Sequence, residues 1–597
     1  MTGPVELDAE QRLAAAIEPE VRQVVTAGPG AGKTEVVASL LRHLIEEEDV
    51  EATDELLVIS FSRAAVAAVQ ARSRKESGRS RLVTVRTLDS LASSLLDEVG
   101  EPEEWRRWSF DKRIQRATGV LRENESDELE ALRHVVVDEV QDVVGVRAEF
   151  LLAILEALED DAGFTLLGDP QQAIYDFQLR GAADTTSAQL LDRVLAGEGV
   201  RRVVLRGQYR AVSSEAVEAT ALGRRLDTAR AAEQPAVVEG FVDRLPLIGS
   251  LDELRRLLPR WEGRTAVLCA TNGEALEVTR ALRGLGVDVV QQRSAQEQAP
   301  ARWIADVLAE RARPAVSREE VLPDLERRGV EPAAWGWMRS LAGGRGAELD
   351  IPTLARRLAA GIVPVELQTR PTSAVVVSTV HRAKGLEFDN VVLISPESWI
   401  ATEGQDPGER VRTTFVAVSR ARSRLAVLSL PWNWRLRHDG RIDRWYIGGR
   451  EKYMTLGLEL AGADVSTEVP PGEDLQDLQP VQTHLRTRVH VGDELTFTLD
   501  PRRSTAERPG YSIHHGGLLV GRTGESFADT FTRRIRPRRK GRPWPDLGVA
   551  AVDGVVTVAG TPQPAATPQA PAVGRWGLWT GIRVSGLVDL QWSKEEK

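Results

Sequence analysis

The first residues able to do chemistry form one octapeptide, AGPGAGKT, at 27–34. Gly28, Gly30 and Gly32 free the backbone to turn its amides toward phosphate oxygens. Lys33 places a cation beside the β- and γ-phosphates of a nucleotide, and Thr34 offers a hydroxyl to Mg2+. The general pattern begins with Gly, where this chain has Ala27. Further along, VVVDEVQD at 135–142 ends an apolar run in two carboxylates. Asp138 is expected to hold Mg2+, directly or through water. Glu139 is expected to orient and deprotonate an attacking water. The two roles need two residues, because a metal ligand is tied up with charge while a base must face the nucleophile. Together the motifs predict phosphoryl transfer from ATP to water.

The elements around these residues fit that chemistry. QVV precedes the glycine-rich loop and EVVASLLRHL follows it, the strand–loop–helix context such a loop requires. Strand-like runs recur at 23–27, 56–60, 82–85, 134–138 and 164–168, with helical patterns at 35–48, 63–75 and 147–159. This alternation predicts a largely parallel sheet in a first domain, 1–200. A second α/β domain is expected over 201–455, with strands at 202–205, 266–270, 287–290, 374–378, 391–395 and 425–429 and a helix near 274–284. Helical insertions are expected at 97–133, anchored by Trp105 and Trp108, and at 294–370. The acidic, Pro-containing stretch within 456–484 predicts a linker, and short alternating strands predict a β-rich domain over 485–597.

Composition sets outer bounds. A chain of 597 residues with 42% apolar and 28% charged side chains predicts two to four globular domains. No apolar run approaches the roughly 18 residues a membrane span needs, and the first residues lack a secretory pattern. Cys269 stands alone, which excludes an intramolecular disulfide, a four-cysteine cluster and a zinc ribbon; a cytoplasmic location is expected. The net charge of −11 is not that of a generic polycation, so nucleic-acid contact must use local patches or stacking. The densest basic tract, RRIRPRRKGR at 533–542, makes Arg538 and Arg539 candidates for duplex phosphates.

These motifs and those that follow them resemble the UvrD/Rep family of superfamily 1 DNA helicases, over residues 5–430. Gln11 in LDAEQRLA matches the adenine-reading glutamine, and Phe61 in SFSRAAVAAV the aromatic that touches single-stranded DNA. GDPQQAIYDF, 168–177, resembles a segment in which Gln172 would sense the γ-phosphate and Tyr175 and Phe177 would face bases. In LRGQYR, Tyr209 would stack on adenine and Arg210 reach the γ-phosphate. In STVHRAKGLEFDNVVLI, Lys384 and Gly385 turn the chain, His381 would face DNA and Glu387 accept from a ribose hydroxyl. TTFVAVSRARSRL places Arg420 at the arginine finger.

The resemblance implies an α/β fold of two RecA-like motor domains with ATP and Mg2+ as cofactors. It implies 3′→5′ travel on single-stranded DNA, fork or tailed duplexes as further partners, and work in repair or recombination. Two alternatives stand beside it: a motor subunit of a phage-defence or nuclease complex, partnered by a nuclease, and a remodeller that displaces bound protein without robust unwinding. The chain departs from the family at TLDSL, where Leu88 and Asp89 replace Phe and His, and in its short insertions. SGLVDLQW near the end, with Asp589, is expected to be an ordinary strand.

Overall fold

A computed structural model describes residues 6–60, 83, 85–100, 105, 108–123, 126–175, 184–292, 299–343, 347–369, 373–396, 399, 407–431, 433–450, 454–472, 478–535, 544–563 and 573–592. The chain divides into two compact units. The first comprises Met1–Gly249, Trp261–Leu268 and Ala383–Ser429, and the second Ser250–Arg260, Cys269–Arg382 and Leu430–Lys597.

The first unit is built on a parallel sheet of β1 (Arg22–Ala27), β2 (Leu56–Ser60), β3 (Val85–Arg86), β4 (His134–Asp138), β5 (Gly163–Gly168) and β6 (Arg201–Leu205). The order is β3-β2-β4-β5-β1-β6, and neighbouring strands run parallel throughout. β6 was expected to open the second domain; it pairs with β1 and closes the first sheet instead. Neighbouring side chains in a strand point to opposite faces. Val135 and Val137 therefore enter one core while Val136 enters the other. Helices cover both faces. α1 (Ala9–Ala15) and α2 (Lys33–Glu46) lie on one; α3 (Leu88–Glu98), α4 (Phe110–Arg122) and α5 (Val146–Glu156) lie on the other. α4 lies in the helical insertion expected over 97–133. Its Ile114, Ala117 and Leu121 are buried in the main core, while Trp105 packs on Leu96 and Val120.

β7 (Leu247–Ile248) and β8 (Thr265–Cys269) belong to a second parallel sheet. In the second unit β9 (Val289–Gln291) precedes a helical insertion that carries the hairpin β10 (Ala315–Ser317) and β11 (Glu348–Asp350). β12 (Val375–Thr379) then pairs parallel with β9. Back in the first unit, β13 (Phe388–Ile394) and β14 (Ala421–Leu428) run parallel beside β8 and β7.

The third sheet is antiparallel and lies wholly in the second unit. Its strands are β15 (Leu436–Asp439), β16 (Arg444–Gly448), β17 (Thr455–Leu460), β18 (Glu494–Leu499), β19 (Tyr511–His515), β20 (Leu518–Arg522), β21 (Asp546–Leu547), β22 (Ala550–Ala559) and β23 (Leu578–Gln591). It runs β15-β16-β17-β23-β22-β18-β19-β20, with β21 on β23. It is larger than the expected domain. Three strands precede residue 485, and the stretch expected as a linker, 456–484, contains most of β17 and most of a helix, Leu478–Thr487. The central strand β23 holds Asp589, whose carboxylate pairs with Arg280 at 2.6 Å.

The helical insertion is joined to this sheet. The buried Thr557 hydroxyl accepts from the Ala305 N–H at 2.8 Å and donates to the Ala301 carbonyl at 2.7 Å. Leu578 of β23 completes the insertion's own core. No helix among the described residues is long and apolar enough to cross a membrane.

Candidate active site

Every residue that converges on the phosphate loop belongs to the first unit. β1 ends at Ala27, the loop turns, and α2 starts at Lys33 with Gly32 as a left-handed cap that supplies no side chain. The first amides of α2 are therefore left to a ligand. Gly30 and Gly32 sit at φ +79° and +82°, a region that costs other residues about 1–2 kcal/mol. A Cβ on Gly30 would also lie 3.0 Å from Arg210 Cβ and from Gln208 Oε1. Gly28 lacks both constraints: among the described residues no atom beyond its own chain neighbours lies within 4 Å of its Cβ position. Thr34 follows in the first turn of α2, partly exposed.

Asp138 and Glu139 leave the end of β4, with Glu139 at φ +56°. Lys33 Nζ lies 3.4 Å from Glu139 Oε2, and Gln141 Nε2 donates to the same oxygen. Burial and the Glu139 charge push Asp138 up to about 7. Burial pushes Glu139 the same way, but Lys33 and Lys384 outweigh it and hold its carboxyl down at about 2. Burial works against the Lys33 cation as well, yet Glu139, Asp169 and Asp138 raise it above its ordinary value.

The turn after β5 places Gln172 at the centre of a chain of bonds. Its Nε2 donates to Asp169 Oδ2 at 2.7 Å and its Oε1 accepts from Arg420 at 2.6 Å. Lys384 donates to the Gln172 carbonyl and forms a buried ion pair with Asp142. Burial pushes Asp142 up to about 7 and pulls Lys384 down. The helix Pro407–Val418 is tied to the same turn through Arg412 Nε and the Ala173 carbonyl, 2.6 Å apart. Arg420 follows that helix and is 3% exposed. Among the described residues its hydrogen bonds go to neutral acceptors: Gln172 Oε1, the Ser419 hydroxyl and the carbonyls of Val416 and Leu386. Burial, then repulsion from Arg210, lowers it to about 10. Arg210 donates to Glu387 Oε1 at 3.0 Å and to the Ser419 carbonyl. Glu387 also holds Arg422, and the two guanidiniums, against the pull of burial, keep its carboxyl below the usual range.

At the rim, Tyr209 is 59% exposed. Its backbone N–H donates to the Gly30 carbonyl at 2.9 Å and its hydroxyl to Asp8. Gln11 is buried and occupied. Its Oε1 accepts from the Asp8 N–H at 3.0 Å, and its Nε2 donates to the Ala31 carbonyl at 3.1 Å. One N–H and one lone pair remain to it for a base edge.

The structure thus gathers Gln11, Lys33, Thr34, Asp138, Glu139, Gln172, Tyr209, Arg210, Glu387 and Arg420 around one loop. Tyr175 lies beside them, half-buried with the Lys384 ammonium 5.0 Å over its ring. His381 is half-buried on the short helix Val380–Ala383, in the second unit. Phe61, Phe177, Arg538 and Arg539 lie outside the described residues. Sequence reading passed over Gln141, Asp142 and Asp169, although all three stand inside the quoted motifs. It took Lys384 only for a turn residue. The TLDSL departure has a structural use. Leu88 is core, and Asp89 binds Arg147 through both oxygens at 2.7 and 3.2 Å.

The donor set suits a nucleotide and its Mg2+. Asp138 is a buried carboxylate whose charge burial and Glu139 disfavour more than Lys33 favours it, Thr34 adds a hydroxyl, and Arg420 is a buried cation hydrogen-bonded to neutral groups. Among the described residues no group of three His, Cys, Asp or Glu could hold a metal alone. Such a site takes its remaining ligands from phosphate and water.

Two family models match the chain. An AAA domain model matches residues 11–178, and a UvrD-like helicase C-terminal domain model matches 374–428. The chain carries a P-loop ATPase domain and a UvrD-like helicase C-terminal element, with an additional antiparallel β sheet after them. No curated protein sequence matches it. Among solved structures it is similar to the Pif1 helicase from Candida albicans, at 13% identity and a TM-score of 0.36, covering 72% of this chain and 95% of that one. It is similar to S. cerevisiae Dbp5 in its complex with Nup159 and Gle1, at 11% identity and TM-score 0.33, covering 71% and 84%. It is similar to the helicase MrfA bound to DNA, at 12% identity and TM-score 0.35, covering 72% and 47%.

Proposed function

We propose that the chain is an ATP-driven motor of the UvrD/Rep type that moves 3′→5′ along single-stranded DNA and acts in repair or recombination. The observation that carries the ATPase half is Gln172, which joins Asp169 beside the phosphate loop to the buried Arg420. Thr34 and Asp138 would hold Mg2+, which supplies charge neutralisation at the phosphates when bound. Lys33 and the α2 amides bind phosphate oxygens. Glu139 takes the proton of the attacking water, and its low pKa keeps it ionised for that task. Arg420 and Arg210 stabilise charge that grows on the transferred group. The Lys33–Glu139 pair has a consequence for the resting state. An ammonium held at the base keeps both groups occupied until phosphate draws Lys33 away.

The DNA half rests on the resemblance and on the UvrD-like match. Tyr175 supports it, since it joins the ATP cluster through Lys384 and could pass the state of Gln172 to a bound strand. ATPase rates with single-stranded DNA, duplex DNA and RNA, followed by unwinding of 3′- and 5′-tailed duplexes, test the reading. Stimulation by single strands and preference for the 3′ tail are expected. Equal rates with and without every nucleic acid would overturn it.

A further inference from the structure

Charge and aromatic side chains gather at one edge of the antiparallel sheet, where β15 and β16 form the terminal hairpin. Residues 434–450 carry five arginines against two aspartates, in a chain of net charge −11. The pairing Leu436↔Ile447 and His438↔Trp445 defines one face, and Arg437↔Tyr446 and Asp439↔Arg444 the other. The first face packs inward: Leu436, Trp445 and Ile447 lie with Leu276 and Leu587. The second carries the charge.

A distant basic segment joins it. Arg533 and Arg534 end the helix Glu525–Arg534. Arg534 lies 3.5 Å from the Tyr446 ring centroid and donates to Asp439 at 3.2 Å, across 95 residues of sequence. Asp439 binds Arg441 as well, and Asp464 binds Arg444. Arg435, Arg437 and Arg450 have no carboxylate within ion-pair distance among the described residues. Beside them Trp434 is 55% exposed, with the Arg435 guanidinium 5.1 Å over its ring.

We infer that this hairpin edge, with Trp434, Arg435, Arg437, Arg441, Arg450 and Arg534, is a binding surface for single-stranded nucleic acid. Asp439 already neutralises Arg441 and Arg534, whereas Arg435, Arg437 and Arg450 beside them leave a charge excess that favours an anion. A single strand offers spaced phosphates and, unlike a duplex, open base faces that stack on an indole. An acidic peptide would meet the charge but offer no planar base to the exposed side of the Trp434 indole. The inference rests on the motor reading for its choice of ligand alone.

The test uses the full chain and fluorescein-labelled oligothymidylate, with anisotropy read at several salt concentrations. The triple variant Trp434→Ala, Arg437→Ser, Arg450→Ser should raise Kd by about 10-fold or more, given about 1–3 kcal/mol per stacked base. The salt slope should fall by about 1.4 for two lost phosphate contacts. ATPase without nucleic acid and the thermal midpoint should be unchanged. The single change Arg437→Glu, at an exposed position, should weaken binding by about 3-fold or more without touching the fold. Unchanged affinity and slope in both variants would overturn the surface. So would a loss confined to a duplex probe, or one confined to an acidic peptide. Wild-type protein that binds neither nucleic acid refutes the motor reading itself, whereas wild-type binding that the variants retain refutes only the surface.

Discussion

Arg420→Ala separates stability from catalysis. In the folded chain burial lowers this guanidinium from 12.5 to about 10. At about 1.4 kcal/mol per unit, the cation sits roughly 3 kcal/mol less comfortably than in water. Its bonds to Gln172, Ser419, Val416 and Leu386 offset part of that cost. Removing the side chain gives up those bonds and also releases the desolvated charge. The two effects are of similar size and opposite sign, so the nucleotide-free protein should lose no more than about 2 kcal/mol. Catalysis has no such compensation. A cation aimed at charge that develops only in the transition state is worth about 1,000-fold or more in turnover. Steady-state ATPase should then show kcat reduced by that factor, while fluorescent-nucleotide titration gives a Kd within about 5-fold of wild type. Arg420→Lys keeps the charge but cannot reach Gln172 and Ser419 with one planar group, so it should recover little. A variant with near-normal kcat, or one whose loss appears wholly in affinity, would refute the reasoning.

Four further outcomes follow from the same geometry. Glu139→Gln should keep nucleotide affinity and lower kcat by about 100-fold or more, since it keeps the shape and removes the base; near-normal hydrolysis would contradict the role. Gly30→Ala forces a side chain to φ +79° against Arg210 and Gln208, and nucleotide affinity should drop by about 10-fold or more in titration, as loop strain of about 1–2 kcal/mol implies. Burial raises Asp138 and Asp142 to about 7 from 3.8, so the folded chain binds extra protons between those values. Their contribution to stability is present at low pH and lost as pH rises through about 7. Calorimetry without nucleotide should show the midpoint falling from about pH 5.5 to about pH 8, less so in Asp142→Asn; a flat or rising profile counts against it. Thr557→Val should cost about 1–3 kcal/mol in denaturant unfolding, because it leaves the buried Ala305 N–H without its acceptor.

How much of this was legible beforehand depends on the range of the interaction. The phosphate loop and the Asp138-Glu139 pair are set by neighbours in sequence: glycines that allow positive φ, an apolar strand, and the helix it feeds. Local pattern also located the strands of both parallel sheets to within a few residues, because a buried parallel strand is a continuous apolar run; only the two-residue β7, too short to show one, was missed. Tertiary structure decided the rest. β6 joined the first sheet because its register with β1 buries Val203 and Leu205, which no local signal distinguishes from opening a new domain. α4 looked like a charged insertion, yet one stripe of Ile114, Ala117 and Leu121 suffices to bury it. The helical insertion depends on Thr557 and Leu578, more than 200 residues away, and Arg534 meets Asp439 across 95. Contacts at such separations leave no period in a sequence, since either partner is an ordinary surface or strand residue until the chain closes. The same holds at the ATP site, where Asp142 and Lys384 are unremarkable charges in the sequence. Only their common burial, 242 residues apart, makes each the other's counterion.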